Sequence, residues 1–365
     1  MDNNNKSPLT EKEAMKKALK RKTRYRAPSL NIGVIIITAI LLLMIAVCSV
    51  IIISRDDGGE PFASVDTTTA DGATVTDAVT TEAPETEQTI ILSSEDIYKG
   101  DMILVNADYE YKFPEESDVV CVYDNKTSSY KVGDKTVLLS PAAIAPFNKL
   151  MDDFCAAADC NDVMIVTGGG YRSEEYQRQL YASRVESQGA EMAAKYVALP
   201  GHSEHHTGLA MDLTVYTDSG EGHTLRTYEK CKWLVENFEN YGFILRYPEN
   251  KTDITGIAYE SWHYRSVGMP HSLIMKEKGW VHEEYVEYLQ NLPEGTALSW
   301  NGISSEEVSL DGMHDGDYVV MYVPADEGAQ TEIRLPKNRD YTVSGDNVGG
   351  FVVTLMPING GNTND

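Results

Sequence analysis

"GHSEHHTGLAMDLTVY", residues 201–216, begins as a polar turn and ends as a strand. Its first half holds His202, His205 and His206, three of only eight histidines in 365 residues. Its second half, "GLAMDLTVY" (208–216), is apolar and partly β-branched around a single charge, Asp212, which reads as a largely buried strand. His205 in the turn and Asp212 in the strand can offer a nitrogen and an oxygen to one ion. A catalytic zinc takes three protein ligands and keeps a fourth position for water. A third ligand must therefore come from elsewhere in the chain.

"YESWHYR" (259–265) supplies the candidate, with Glu260 three residues before His263. A mononuclear zinc hydrolase needs neutral imidazoles or carboxylates to hold the metal, and one free carboxylate to take a proton from the attacking water. His205, Asp212 and His263 fill the first requirement and Glu260 the second. Taken alone, Glu-x-x-His is common by chance and a His near an Asp is usually a hydrogen-bonded pair. The spacing also carries a geometric demand. Positions three apart in a regular strand face opposite sides, so the chain must bulge or turn at Ser261–Trp262 for Glu260 and His263 to share a site.

The rest of the chain sets the context. The balance is acidic, 31 basic against 56 acidic side chains, but residues 1–30 hold nine Lys or Arg against three acids. The remaining body, with 22 basic and 53 acidic residues, lacks the footprint of a nucleic-acid binder. Residues 32–53, "IGVIIITAILLLMIAVCSVIII", are uncharged. As a helix they reach about 33 Å, enough to cross a bilayer core. Basic residues precede this run and "SRDDGGE" follows, so the positive-inside rule predicts a cytoplasmic tail (1–31), one membrane span and an external remainder. From Asp56 to Tyr98 there is no Lys or Arg. This Thr, Ala and acid-rich composition predicts a disordered stalk over 54–96.

Order is expected from about residue 97. "MILVN" (102–106), "DVVCVY" (118–123), "KTVLL" (135–139) and "DVMIVT" (162–167) read as short strands. "SPAAIAPFNKLMDDFCAAA" reads as a helix capped by Ser140, with Ile144, Phe147, Leu150, Met151 and Phe154 on one face. A second helix from about Thr227 carries Cys231, Leu234, Val235, Phe238 and Tyr241 and stops at Gly242. "HSLIMKEKGWVHEEYVEYLQNL" is helical at both ends. Strands and helices mix without a regular βαβ repeat, so the class is α+β. Residues 293–365 change to short strands between turns, a small β-rich extension to the 97–292 domain. Cys121, Cys155, Cys160 and Cys231 show no zinc spacing and allow three pairings. Cys231, on an apolar helical face, suits a buried thiol as well as a bridge.

The combined pattern is more specific than its parts. Ser203-x-His205-x-x-Gly208-x-Ala210-x-Asp212 followed by Glu260-x-Trp262-His263 resembles the VanY-type zinc D-alanyl-D-alanine carboxypeptidases, which trim bacterial peptidoglycan stem peptides. "TGGGYRS" with Arg172, "GFILRYP" (242–248) and "ESWHYRSVG" extend the resemblance over roughly 97–290. It implies a small α+β domain with a central antiparallel sheet. It also implies His205, Asp212 and His263 as Zn2+ ligands, Glu260 as general base, and Arg172 and Ser203 facing the substrate, with Arg172 on the scissile carbonyl oxygen or the terminal carboxylate. His202 and His206 fall outside the ligand positions. The expected protein is a bacterial cell-membrane enzyme with an external catalytic domain, its partners stem peptides ending in D-Ala and no nucleic acid. An L,D-carboxypeptidase acting on tetrapeptides, or a non-catalytic wall-binding module, remains open at this stage.

Overall fold

The computed structural model describes residues 86–326 and 330–358. The basic tail, the apolar run 32–53 and the acidic stretch up to 85 lie outside them. Helix α1 (Pro141–Ala158) shows how local chemistry sets an element here. Ser140 is its N-cap and accepts from the Ala142 N–H, Pro141 fills the first turn where no N–H is needed, and Asp159 closes it in the left-handed conformation. Pro146 lies within the helix, which begins before it. The expected face of Ile144, Phe147, Leu150, Met151 and Phe154 is buried.

That face packs on the central sheet. Its order is β3 (Lys131–Val132), β5 (Val163–Ile165), β6 (Ala210–Tyr216), β9 (His263–Ser266) and β8 (Phe243–Leu245), with β7 (Gly222–His223) paired to the end of β6. Val163, Ile165, Leu213, Val215 and Phe243 meet α1 in one core, joined by Leu234 of α4 (Lys232–Asn237) and by Phe238. The sheet is antiparallel except that β3 runs parallel to β5. The expected central antiparallel sheet is present, with one parallel pair added at its β3 edge. A parallel neighbour requires a long crossover, and the segment containing α1 provides it. Strands β2 (Val120–Cys121) and β4 (Leu138–Leu139) form a separate short pair.

After β5 come α2 (Glu174–Gln188) and α3 (Ala190–Tyr196), and after β9 come α5 (His271–Lys278) and α6 (His282–Gln290). The C-terminal part is a five-stranded antiparallel sheet. Its order is β11 (Ser305–Ser309), β10 (Thr296–Trp300), β12 (Tyr318–Pro324), β15 (Gly350–Leu355) and β14 (Tyr341–Gly345). Alternation along its strands gives it two apolar faces. Leu298, Val320 and Val352 pack on Ile274, Met275, Tyr285 and Leu289 of α5 and α6. Val319, Phe351, Val353 and Leu355 turn the other way, toward Ile333 and Leu335 of β13 (Thr331–Pro336).

Strand β13 pairs with β1 (Glu87–Leu92), in register from Glu87↔Pro336 to Leu92↔Thr331. The disordered stretch expected over 54–96 is therefore corrected at its end. Composition averages over the acidic and threonine residues and hides a two-residue alternation in which Gln88, Ile90 and Leu92 turn inward. The strand is stabilised by β13, which lies at Thr331–Pro336 near the far end of the chain and which no local signal reveals. Residues 102–106 are corrected as well. Met102 to Val105 are buried but make isolated bonds to 344–347 instead of a ladder, among them Met102 N–H to Ser344 Oγ and Leu104 N–H to the Asp346 carbonyl. In the segment that carries Glu260 and His263, the strand begins only at the second of them and runs over His263–Ser266.

Candidate metal centre

Asp212 lies within β6 and His263 opens β9, and the register sets them directly opposite each other. Such cross-strand partners hold their Cβ atoms about 4.5–5.5 Å apart on one face. His205 comes from the 3-10 turn Glu204–Thr207, which leads into β6 through Gly208 at φ 70°. A side chain at Gly208 would be strained there and would meet Val119 Cγ1 at 2.7 Å. Glu260 arrives by the turn expected at Ser261–Trp262, closed by the His263 N–H on the Glu260 carbonyl at 3.3 Å. One ligand atom from each of His205, Asp212 and His263 lies within 4.8 Å of the others, all three buried.

Hydrogen bonds decide which ring nitrogens are free. His205 Nδ1 lies 2.8 Å from the Gly170 carbonyl, so it carries the proton and leaves the Nε2 lone pair facing Asp212 Oδ2 at 3.3 Å. His263 Nδ1 faces Asp212 Oδ1 at 3.0 Å, while its Nε2 looks the other way, toward Glu204 Oε2 at 3.5 Å. A carboxylate behind a ligating imidazole fixes the tautomer and raises ligand basicity. Tetrahedral zinc ligands stand about 3.3 Å apart, so the donor types and spacings fit that ion.

The same surroundings shift the ionisation of these groups. Burial, reinforced by Arg172, lowers the His205 pKa to about 4 and keeps the ring neutral. For His263, burial opposes charge, but the bond to Asp212 and the nearby Glu204 carboxylate outweigh it and lift the pKa to about 9. Burial also opposes the Asp212 charge, and the neighbouring His205, His263 and Arg172 still hold it well below the carboxylate range. Glu260 has no direct cationic partner of that strength. Burial pushes it up to about 7, with its Oε2 3.8 Å from His263 Nδ1.

Arg172 joins the site instead of pairing with Glu174 or Glu175. Its Nη2 donates to Asp212 Oδ2 at 2.6 Å and its Nε to the Gly168 carbonyl at 2.7 Å. Arg178 takes the two glutamates. His206 Nδ1 donates to the Arg172 carbonyl, and its Nε2 accepts from the Gly201 N–H. His202 bonds the Asn106 carbonyl. Neither is brought to the cluster. Arg172, Ser203, His205, Asp212, Glu260 and His263 all line one cleft of about 390 Å³, with Tyr247 and the 39% exposed Trp262 on its wall.

Sequence reasoning missed the network beneath this cleft. Glu204, fully buried, accepts from Arg246 Nε at 2.7 Å and from Arg265 Nη1 at 3.2 Å. Arg246 also grips Glu283 with two further bonds, at 2.8 and 2.6 Å. Burial opposes the Glu204 charge, but the two guanidiniums hold its pKa well below the ordinary value. The available signal was an arginine ending each of two apolar runs, "FILR" and "WHYR".

The profile described as VanY, D-alanyl-D-alanine carboxypeptidase, matches residues 140–269, the stretch from the α1 cap to the end of the β9 loop. A D-alanyl-D-alanine carboxypeptidase of Enterococcus faecium is 34% identical over 280 residues, covering 75% of this chain and 80% of that protein. The bifunctional D-Ala-D-Ala dipeptidase and D-Ala-D-Ala carboxypeptidase VanXYC of Enterococcus gallinarum is 38% identical over 159 residues, 43% of this chain and 81% of its own. Among solved structures, the vancomycin resistance D,D-dipeptidase VanXYg, in complex with a D-Ala-D-Ala phosphinate analog, superposes with a TM-score of 0.61 at 32% identity. That match spans 74% of this chain and 98% of that one. Similarity of this extent, over a cleft that gathers the motif residues, places the chain in the VanY family of D-alanyl-D-alanine carboxypeptidases.

Proposed function

We propose that this protein is a zinc-dependent carboxypeptidase that removes the C-terminal D-alanine from peptidoglycan stem peptides, outside a bacterial membrane to which residues 32–53 anchor it. One observation carries the chemistry. Asp212 and His263 stand opposite on β6 and β9, His205 Nε2 faces the same carboxylate, and Glu260 turns into the same cleft. His205 Nε2, His263 Nδ1 and an Asp212 oxygen would hold the metal. Zinc, when bound, polarises a carbonyl and makes water a better nucleophile near neutral pH.

The chain's own groups do the rest. Glu260, with a pKa raised to about 7, accepts the proton of the attacking water and returns it to the departing amine. Glu204 keeps His263 aimed at the cluster. Arg172 is braced by the Gly168 carbonyl and Asp212, and turns the rest of its guanidinium fork to the terminal carboxylate or to the oxyanion that develops at the scissile carbonyl. Purified full-length protein, supplied with zinc and a synthetic stem pentapeptide, should release one D-alanine by mass spectrometry and stop when the metal is chelated. Release from tetrapeptide but not pentapeptide would mean an L,D-carboxypeptidase instead. Zinc binding without any hydrolysis would reduce the site to recognition.

A further inference from the structure

Beneath the metal ligands lies a buried group that the mechanism leaves unused. His282, the first residue of α6, is fully buried, and neither of its ring nitrogens has a hydrogen-bond partner among the described residues. A buried polar atom without a partner costs stability, so an apolar side chain of similar size would serve packing better. Glu204 Oε2 and His263 Nε2 are orphaned in the same network. Two imidazoles thus face one carboxylate. His263 Nε2 lies 3.5 Å from Glu204 Oε2, and His282 Nδ1 lies 3.9 Å from Glu204 Oε1.

The backbone under His282 is pinned on both sides. In the first turn of α6, Glu284 accepts from the Val281 N–H at 2.9 Å and is held by Lys251 at 2.8 and 2.7 Å. Glu283 takes two bonds from Arg246, the same guanidinium that donates to Glu204. At the far end of α6, Gln290 donates to Asp346 Oδ2 of the C-terminal part at 2.9 Å. The helix therefore holds His282 against Glu204 as a strut.

The two oxygens of Glu204 are not equivalent. Oε1 accepts from Arg246 Nε and Arg265 Nη1, and it is the oxygen that His282 Nδ1 approaches. Oε2 is left to His263 Nε2. Burial, with Arg265 and Arg246 nearby, keeps the His282 ring neutral, so it brings a donor to Oε1 without a third positive charge. When His263 gives Nδ1 to a metal, its Nε2 must carry the ring proton, and that N–H needs a fixed acceptor.

We propose that His282 is a positioning residue for His263, acting through Glu204: by crowding Oε1 with a third donor it turns Oε2 to the Nε2–H of His263, which keeps Nδ1 aimed at the metal. This inference rests on the zinc reading of the site and extends its support to the start of α6.

The test uses the full-length chain in detergent and needs no substrate. Zinc affinity, measured by competition with a chromophoric chelator, should fall about tenfold in His282→Leu, the scale of losing an outer partner of a ligand. His282→Asn, whose amide puts a donor where Nδ1 stood, should recover affinity to within about threefold of wild type. Metal-free His282→Leu should melt no lower than metal-free wild type, because two unpaired buried nitrogens are gone. Zinc binding by His282→Leu as tight as wild type would overturn the assignment, as would an asparagine variant no better than the leucine one. A metal-free leucine variant that melts well below wild type would make His282 a packing residue and overturn it too. A wild type that takes up no zinc would instead remove the metal reading itself, and this inference with it.

Discussion

Glu260 and Glu204 are both buried, both within reach of His263, and driven to opposite ends of the carboxylate range. Glu204 sits between two guanidiniums and stays ionised; Glu260 faces the cleft without such a partner and is lifted to about 7. Two like groups with separated pKa values suit a division of work, which is the basis of the roles proposed for them: Glu204 to hold charge and Glu260 to move a proton. Glu260→Gln keeps the shape but cannot accept a proton, so zinc content should stay near wild type while hydrolysis falls by at least about 10²-fold. Comparable turnover would end its role as base. Glu204→Gln should act on stability instead, because it leaves two buried guanidiniums poorly compensated. Denaturant unfolding should show a loss of about 3–5 kcal/mol, against little change for Glu260→Gln. His205, Asp212, Glu260 and His263 were legible because a turn, a strand and a second short motif keep fixed spacings. The Glu204–Arg246–Arg265–Glu283 network was not, since its members are scattered over 80 residues and a charge beside an apolar strand reads as a solvated end.

At the scale of elements, the joint between α5, α6 and the C-terminal sheet turns on one imidazole. His271 on α5 bonds Tyr285 Oη of α6 at 2.9 Å and Thr354 Oγ1 of β15 at 3.1 Å. Burial, aided by the nearby His282, lowers its pKa to about 3. Above about pH 6.5 the folded and unfolded chains both keep this group neutral. Below that, the unfolded chain binds a proton that the folded one refuses, so stability should fall as pH drops from 6.5 toward 3, by up to about 1.4 kcal/mol per pH unit. Melting temperatures of His271→Gln between pH 4 and 7 should therefore change less steeply than those of the wild type; identical slopes would clear His271 as the source. Helix α1 was readable from its cap and its apolar period. Strands β2 and β4 fall within the expected 118–123 and 135–139 but keep only two residues each, and β3 was not placed, because its pairing follows from tertiary packing and not from any local alternation.

For the whole molecule, the proposed topology sets the catalytic part outside the cell. Protease added to intact cells, or to protoplasts where a wall intervenes, should cut ahead of Glu87 and release an active fragment that retains β1. Protection until the membrane is opened would reverse the orientation. The α+β class and the change to short strands after residue 293 were legible in composition and period. That the C-terminal sheet shares a core with α5 and α6, and borrows a strand from ahead of the catalytic domain, was not, because both depend on contacts between distant segments.

The borrowed strand has a mechanical consequence. Under the proposed anchoring, with a stem peptide of the wall in the cleft, the chain would be pulled from the membrane side and from the wall side. Tension entering at Glu87 runs along β1, and the six-position ladder to β13 meets it lengthwise, so its bonds strain together instead of opening one by one. Beyond β1 the chain is tied again, at Lys99 to Gly345 and at Leu104 to Asp346 and Asn347. In that topology the C-terminal layer would act as strain relief, letting the tether be tugged without prying β6 from β9, the pair whose register keeps Asp212 opposite His263.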